Sequence, residues 1–145
     1  MASIGEKRVT IGVDPHPGSH TATAVSHLGE VLGSITVDNS DQGCQQLRGW
    51  VKQHRHRCWA IEGAGNRFVA PLVSELLADG EQVYGIPPSM TAQYRSRRGR
   101  KKDDEVDAEN AAQALLANPG ISHSLPTRDV QRWTGLSRGC RRLSR

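Results

Sequence analysis

Aromatic side chains make up only 4% of the 145 residues: one Phe, two Tyr and three Trp. A core must therefore be assembled from Val, Ile, Leu and Ala, with Trp50, Trp59, Trp133 and Phe68 as its few large pieces. The 36% hydrophobic content of a chain this long is adequate for one ordinary domain without covalent or metal staples. Cysteine is scarce too. Cys44, Cys58 and Cys140 lie far apart, are odd in number and form no C-x-x-C pair, which argues against a disulfide framework and a thiolate zinc site and predicts a reducing, cytoplasmic setting. No apolar run approaches about 18 residues and no basic-then-apolar leader opens the chain, so neither membrane insertion nor secretion is expected. There is no G-x-S-x-G elbow, and Cys44 has no evident activating partner, so nucleophilic hydrolase chemistry has no support. Gly63 and Gly65 form a G-x-G after a strand, but Phe68 stands where a dinucleotide fingerprint needs its third glycine. Internal repeats are absent.

What is present is an alternation of strand and helix patterns. Val9 to Asp14 is a β-branched run stopped by Pro15 and Pro17, the kind of near-continuous apolar run that suits a strand buried on both faces. Residues Thr21 to Ser26 alternate, Gly29 marks a turn and Val31 to Val37 reads as a third strand, so an antiparallel meander is expected. Asn39, Ser40 and Asp41 are N-cap candidates for a helix carrying Leu47, Trp50 and Val51 and ending near His54. Arg57 to Glu62 is a second central strand, closed by the Gly63-Ala64-Gly65-Asn66 turn. Phe68 to Ala78 is an amphipathic helix ended by Gly80, and Gln82 to Ile86 a short fifth strand before Pro87 and Pro88. A helix over Asp104 to Asn118 follows, stopped by Pro119 and Gly120. A last helix is expected from Thr127, with a basic end that has little apolar surface to pack.

The sign of the charge reverses within one peptide bond just before the Asp104 helix. Arg95, Arg97, Arg98, Arg100, Lys101 and Lys102 come first, and Asp103, Asp104, Glu105, Asp107 and Glu109 follow. Although net charge is only +4, clustering matters more than the sum, and this run suits phosphates, with Tyr94 near enough to stack on a base or sugar. Its plain reading is a solvated loop. Among the carboxylates, Asp14 and Glu62 each close a strand, and parallel neighbouring strands bring them to one sheet edge. Asp104 and Asp107, three apart on a helix, share a face. Singly, such residues are turn formers, caps or complements to a helix dipole. Together, in an element order that brings them into reach of one another, these oxygen donors suit Mg²⁺ or Mn²⁺, two of which clamp a phosphodiester during in-line displacement. His16 and His20 flank Asp14, positioned for substrate or an outer-shell group, with exposed loop histidines as the plainer expectation. His54 and His56 read as a solvated helix end.

GVDPHPGSH at Gly12 to His20, AIEGAGN at Ala60 to Asn66 and KDDEVDAENAAQAL at Lys102 to Leu115 resemble, in order and spacing, the three motifs of the DEDD transposases of bacterial insertion sequences. The resemblance covers roughly Val9 to Leu136 and is most specific at Lys102, Asp104, Asp107 and Ala108. It implies a RuvC-like, RNase H-like domain with Asp14, Glu62, Asp104 and Asp107 as catalytic metal ligands. Asp103 departs from the small hydroxyl residue usual there, and Pro17 from a commonly basic one. The family's coiled-coil segment and second domain, which looks to carry a nucleophilic serine, have no counterpart in the sequence. A truncated, frame-shifted or isolated N-terminal half is therefore expected.

The expected fold is α/β: a five-stranded mixed sheet, its first three strands antiparallel, with helices on its faces. Residues 1–8 are an extension, 9–118 the RNase H-like domain, and 119–145 a linker and the start of a helical segment. The expected function is the N-terminal catalytic domain of a transposase, acting on DNA with Mg²⁺ or Mn²⁺ and inactive alone. The resemblance further implies a structured guide RNA and a homo-oligomer for the longer protein. The competing readings are a non-catalytic nucleic-acid-binding or dimerisation module and a metal nuclease of the Holliday-junction-resolvase kind.

Overall fold

A computed structural model describes residues 8–87, 91, 104–118 and 123–124. The elements run β1 (Val9–Pro15), β2 (Ser19–Val25), β3 (Val31–Asp38), α1 (Asp41–Trp50), β4 (Arg57–Glu62), α2 (Ala70–Ala78), β5 (Val83–Ile86), α3 (Asp104–Ala117) and β6 (His123–Ser124), with short 3₁₀ turns at Val51–Gln53 and Arg67–Val69. The strands form one mixed sheet in the order β3-β2-β1-β4-β5-β6. β1 to β3 make the antiparallel meander, and β1, β4 and β5 are parallel neighbours. The five strands expected from the sequence are all present. The two-residue β6 extends the sheet antiparallel to β5.

The central strands bury both faces, as their apolar runs require. Because side chains alternate across a strand, Ile11 and Val13 of β1, Ala22 and Ala24 of β2 and Trp59 and Ile61 of β4 point one way, into a core with Leu47 of α1 and Leu72 and Leu76 of α2. Cys58 and Ala60 point the other way, against Ala111, Ala114 and Leu115 of α3. Ser40 is the side chain that caps α1, accepting from the Gly43 N–H at 3.0 Å.

α3 lies on its sheet face at unusually short range. A Cβ added to Gly12 would stand 2.0 Å from the Ala108 carbonyl oxygen and 2.9 Å from the Ala112 nitrogen. Only hydrogen fits there, and Ala108, Ala111 and Ala112 are the small partners that permit the approach. The Thr23 hydroxyl, 3.3 Å from the Glu105 carbonyl, ties the first turn of α3 to β2. Among the described residues no helix is long and apolar enough to cross a membrane. The expected helix from Thr127 lies outside the described residues.

Candidate functional site

The site begins with strand register. β1 and β4 pair in parallel with Val13 opposite Ile61, so the next residue on each strand, Asp14 and Glu62, comes to the same sheet edge. Asp14 falls on the same face as Gly12 two residues earlier, and Glu62 on the face of Ala60, so both carboxylates lie toward α3. Past Glu62 the chain turns through Gly63 at φ 64, a left-handed conformation that favours glycine. The Thr91 hydroxyl donates to Glu62 Oε2 at 2.9 Å.

From the other side, α3 presents Asp104 and Asp107 in its first turn. His16 links the two halves: its Nε2 lies 2.9 Å from Asp14 Oδ2 and 3.3 Å from Asp104 Oδ1. Asp14 and Asp107 are each only 7% exposed, whereas half of the His16 side chain faces solvent. Burial pushes the Asp14 carboxyl up to about 6; the His16 hydrogen bond and charge oppose this, and the carboxylates of Asp107 and Glu62 reinforce it. His16 loses basicity to burial but gains more from its bonds to Asp14 and Asp104, so its pKa is raised.

Of the residues singled out in the sequence, Asp14 and Asp104 thus share one histidine, and Asp107 and Glu62 are close enough to act on Asp14 by charge. Arg95, Arg97, Arg98, Arg100, Lys101 and Lys102 lie outside the described residues, as does Asp103. His20 is not an exposed loop residue. It belongs to β2, is 1% exposed and lies on the face opposite Asp14, because Thr21 is the residue paired with Asp14. Three contributors were not anticipated: the bridging geometry of His16, the Thr91 bond to Glu62, and Asn39. The Asn39 amide donates to the carbonyls of Pro17 at 3.0 Å and Phe68 at 2.9 Å, tying the turn after β1 to the segment after β4. Two-residue spacing from Asp14 was the available signal for His16; Asn39 and Thr91 carried none.

The donor set is mostly carboxylate oxygen, with one imidazole nitrogen and no thiolate among the described residues. Set around an Asp14 carboxyl whose charged form is disfavoured first by burial and then by its acidic neighbours, it fits a divalent cation held mainly by oxygen ligands.

Comparison with known proteins agrees with this architecture. A family model described as a transposase, of the DEDD IS110 type, matches residues 11–144, and so continues past Leu136, where the motif resemblance ends. The 44.8 kDa uncharacterized protein of insertion element IS116 from Streptomyces clavuligerus is 29% identical over 107 residues, covering 73% of this chain. This chain spans 27% of the length of that relative. Among solved structures, Thermus thermophilus RuvC in complex with a Holliday junction substrate superposes with a TM-score of 0.62 at 15% identity, covering 81% of this chain and 99% of that one. A second RuvC structure from Thermus thermophilus gives 0.60, also at 15% identity and with the same coverage. The fold is therefore RuvC-like, that is, RNase H-like, and with a match over nearly its whole length the chain belongs to the DEDD transposase family of IS110-type insertion elements.

Proposed function

We propose that this chain is the N-terminal catalytic domain of a DEDD transposase, binding DNA and a divalent metal, Mg²⁺ or Mn²⁺, for phosphodiester cleavage and strand transfer. The observation that supports this reading is that Asp14 and Glu62 close adjacent parallel strands, that His16 links Asp14 to Asp104, and that the charges of Asp107 and Glu62 add to the burial that raises the Asp14 carboxyl to about 6. These four side chains are the metal ligands. When bound, the divalent charge offsets that of a phosphodiester and favours in-line displacement at phosphorus. The sheet fixes Asp14 and Glu62, Thr91 orients Glu62, and the docked helix supplies Asp104 and Asp107. Arg95, Arg97, Arg98, Arg100, Lys101 and Lys102 grip the nucleic-acid backbone through phosphate contacts, with little base preference of their own.

The proposed setting is the cytoplasm, with a structured RNA and further copies of the protein as partners, and this chain alone is not expected to complete strand exchange. The test is Mn²⁺ titration of wild type, Asp14→Asn and Asp107→Asn. Loss of binding in both variants supports the site, and unchanged affinity leaves only a binding module. A resolvase-like nuclease is the second reading, supported by the superposition on RuvC across 99% of that chain. Cleavage of branched DNA by this chain alone would favour it.

A further inference from the structure

The four-carboxylate motif contains no nitrogen donor, yet His16 stands among its members. The backbone around it is fixed at several points. The His16 N–H donates to the Ser19 carbonyl at 2.9 Å, and the turn that follows is held by the Asn39 amide on Pro17 and the Asn39 N–H on the Gly18 carbonyl at 3.1 Å. The imidazole is therefore presented from a braced turn rather than a free one. Its Nε2 lies 2.9 Å from Asp14 Oδ2 and 3.3 Å from Asp104 Oδ1, and one donor atom of each of the three residues lies within 4.8 Å of the others. Ligands on adjacent corners of an octahedron, each about 2.1 Å from the ion, stand about 3 Å apart. His16 already keeps that spacing to both carboxylates. Its side chain is 47% exposed and supports no core packing, so an ion can reach it from solvent. His20, the other histidine of the same motif, lies on the opposite sheet face.

We propose that His16 Nε2 is itself a ligand to the cation shared by Asp14 and Asp104, so that this site has a mixed nitrogen and oxygen donor set and prefers first-row transition ions such as Mn²⁺ to Mg²⁺. The proposal rests on the metal-binding reading above. Mg²⁺ is a hard ion that takes oxygen ligands, whereas an imidazole adds affinity for transition ions. His16 thereby sets which metal the domain selects, a property the carboxylates alone do not determine.

Pulsed EPR of the 145-residue chain loaded with Mn²⁺ tests the proposal directly. Wild type is expected to show ¹⁴N coupling of a coordinated imidazole, and His16→Asn to lose it. Mn²⁺ affinity of the variant should fall by about tenfold or more, the scale seen when support for a metal ligand is removed, while Mg²⁺ affinity, read by competition, falls by a smaller factor. Because His16 is half exposed, the variant should keep the wild-type circular dichroism spectrum in chelator. Mn²⁺ bound without nitrogen coupling, or equal losses for the two metals in His16→Asn, overturns the role of His16 and leaves the carboxylate site standing. Absence of Mn²⁺ binding by wild type overturns both.

Discussion

Removing the charge of Asp14 should stabilise the metal-free domain. Its carboxyl is raised from 3.8 to about 6 by burial, with the relief given by His16 already included. A pKa unit corresponds to about 1.4 kcal/mol, so keeping Asp14 ionised at pH 8 costs the folded state about 3 kcal/mol relative to the unfolded chain. The sign follows from the raised folded value: the folded state is favoured while Asp14 holds its proton, and that advantage is lost as pH climbs from 3.8 through about 6. Asp14→Asn keeps the shape and discards the charge. In chelator at pH 8 the variant should melt higher by about 5–10 °C, given the usual few degrees per kcal/mol in a domain of this size. At pH 4 the difference should nearly vanish, because wild-type Asp14 is then protonated in the folded state. Added Mn²⁺ should reverse the order, since wild type alone gains the binding free energy. Thermal unfolding followed by circular dichroism measures all three conditions. A variant no more stable than wild type at pH 8, or equally stabilised at both pH values, would refute the electrostatic reasoning.

Other perturbations probe the scaffold. Gly12→Ala drives a methyl group into the Ala108 carbonyl, 2.0 Å away, so it should cost about 1–3 kcal/mol in denaturant unfolding and abolish Mn²⁺ binding by displacing Asp104 and Asp107. Burial holds the His20 imidazole below its usual pKa, against the opposing pull of Asn39 and of the Ser19 backbone. The stability of its neutral form is therefore present above pH 6.5 and lost as pH falls through the lowered folded value; His20→Leu should flatten that acid loss in urea titrations at successive pH values. Glu81 accepts from both Arg57 and the Trp59 indole, so Glu81→Ala should destabilise by about 1–3 kcal/mol by stranding two donors, whereas an unchanged unfolding midpoint would show that water replaces it freely. DNA affinity should fall steeply with salt, and Arg97→Ala with Arg98→Ala should lower the slope of log K against log salt by about two if both side chains meet phosphates; an unchanged slope removes them from the interface.

Much of the fold was legible because punctuation and patterning agree. Arg57–Glu62 is bounded as read, where its run meets a glycine turn, whereas β1 runs one residue past its expected limit because Pro15 still pairs with His20 before the chain turns. That Asp14 and Glu62 would be neighbours was conditional on parallel pairing of their strands, and the register of β1 with β4 meets that condition. Less was legible where tertiary contacts override local preference. Ser19 and His20 are poor strand formers, yet pairing with Asp38 and Val37 on one side and of His20 with Pro15 on the other draws both into β2. The bond from Thr91 to Glu62 joins segments with no shared pattern. Gly12 did carry a signal, since glycine inside a strand marks close approach of another backbone, but the identity of that backbone required α3 to be in place.

The Gly12 contact also has a consequence for the order of events during synthesis. Strands β1 to β5 leave the ribosome before the helix that supplies Asp104 and Asp107, and closing that helix onto Gly12 joins positions near opposite ends of the domain. Contacts so distant along the chain form late, because the loop they close is long. A nascent or prematurely ended chain therefore holds Asp14 and Glu62 without their partners. Assembly of the acidic cluster is in this way conditional on a finished sheet: Asp104 and Asp107 reach Asp14 only once α3 has closed over Gly12.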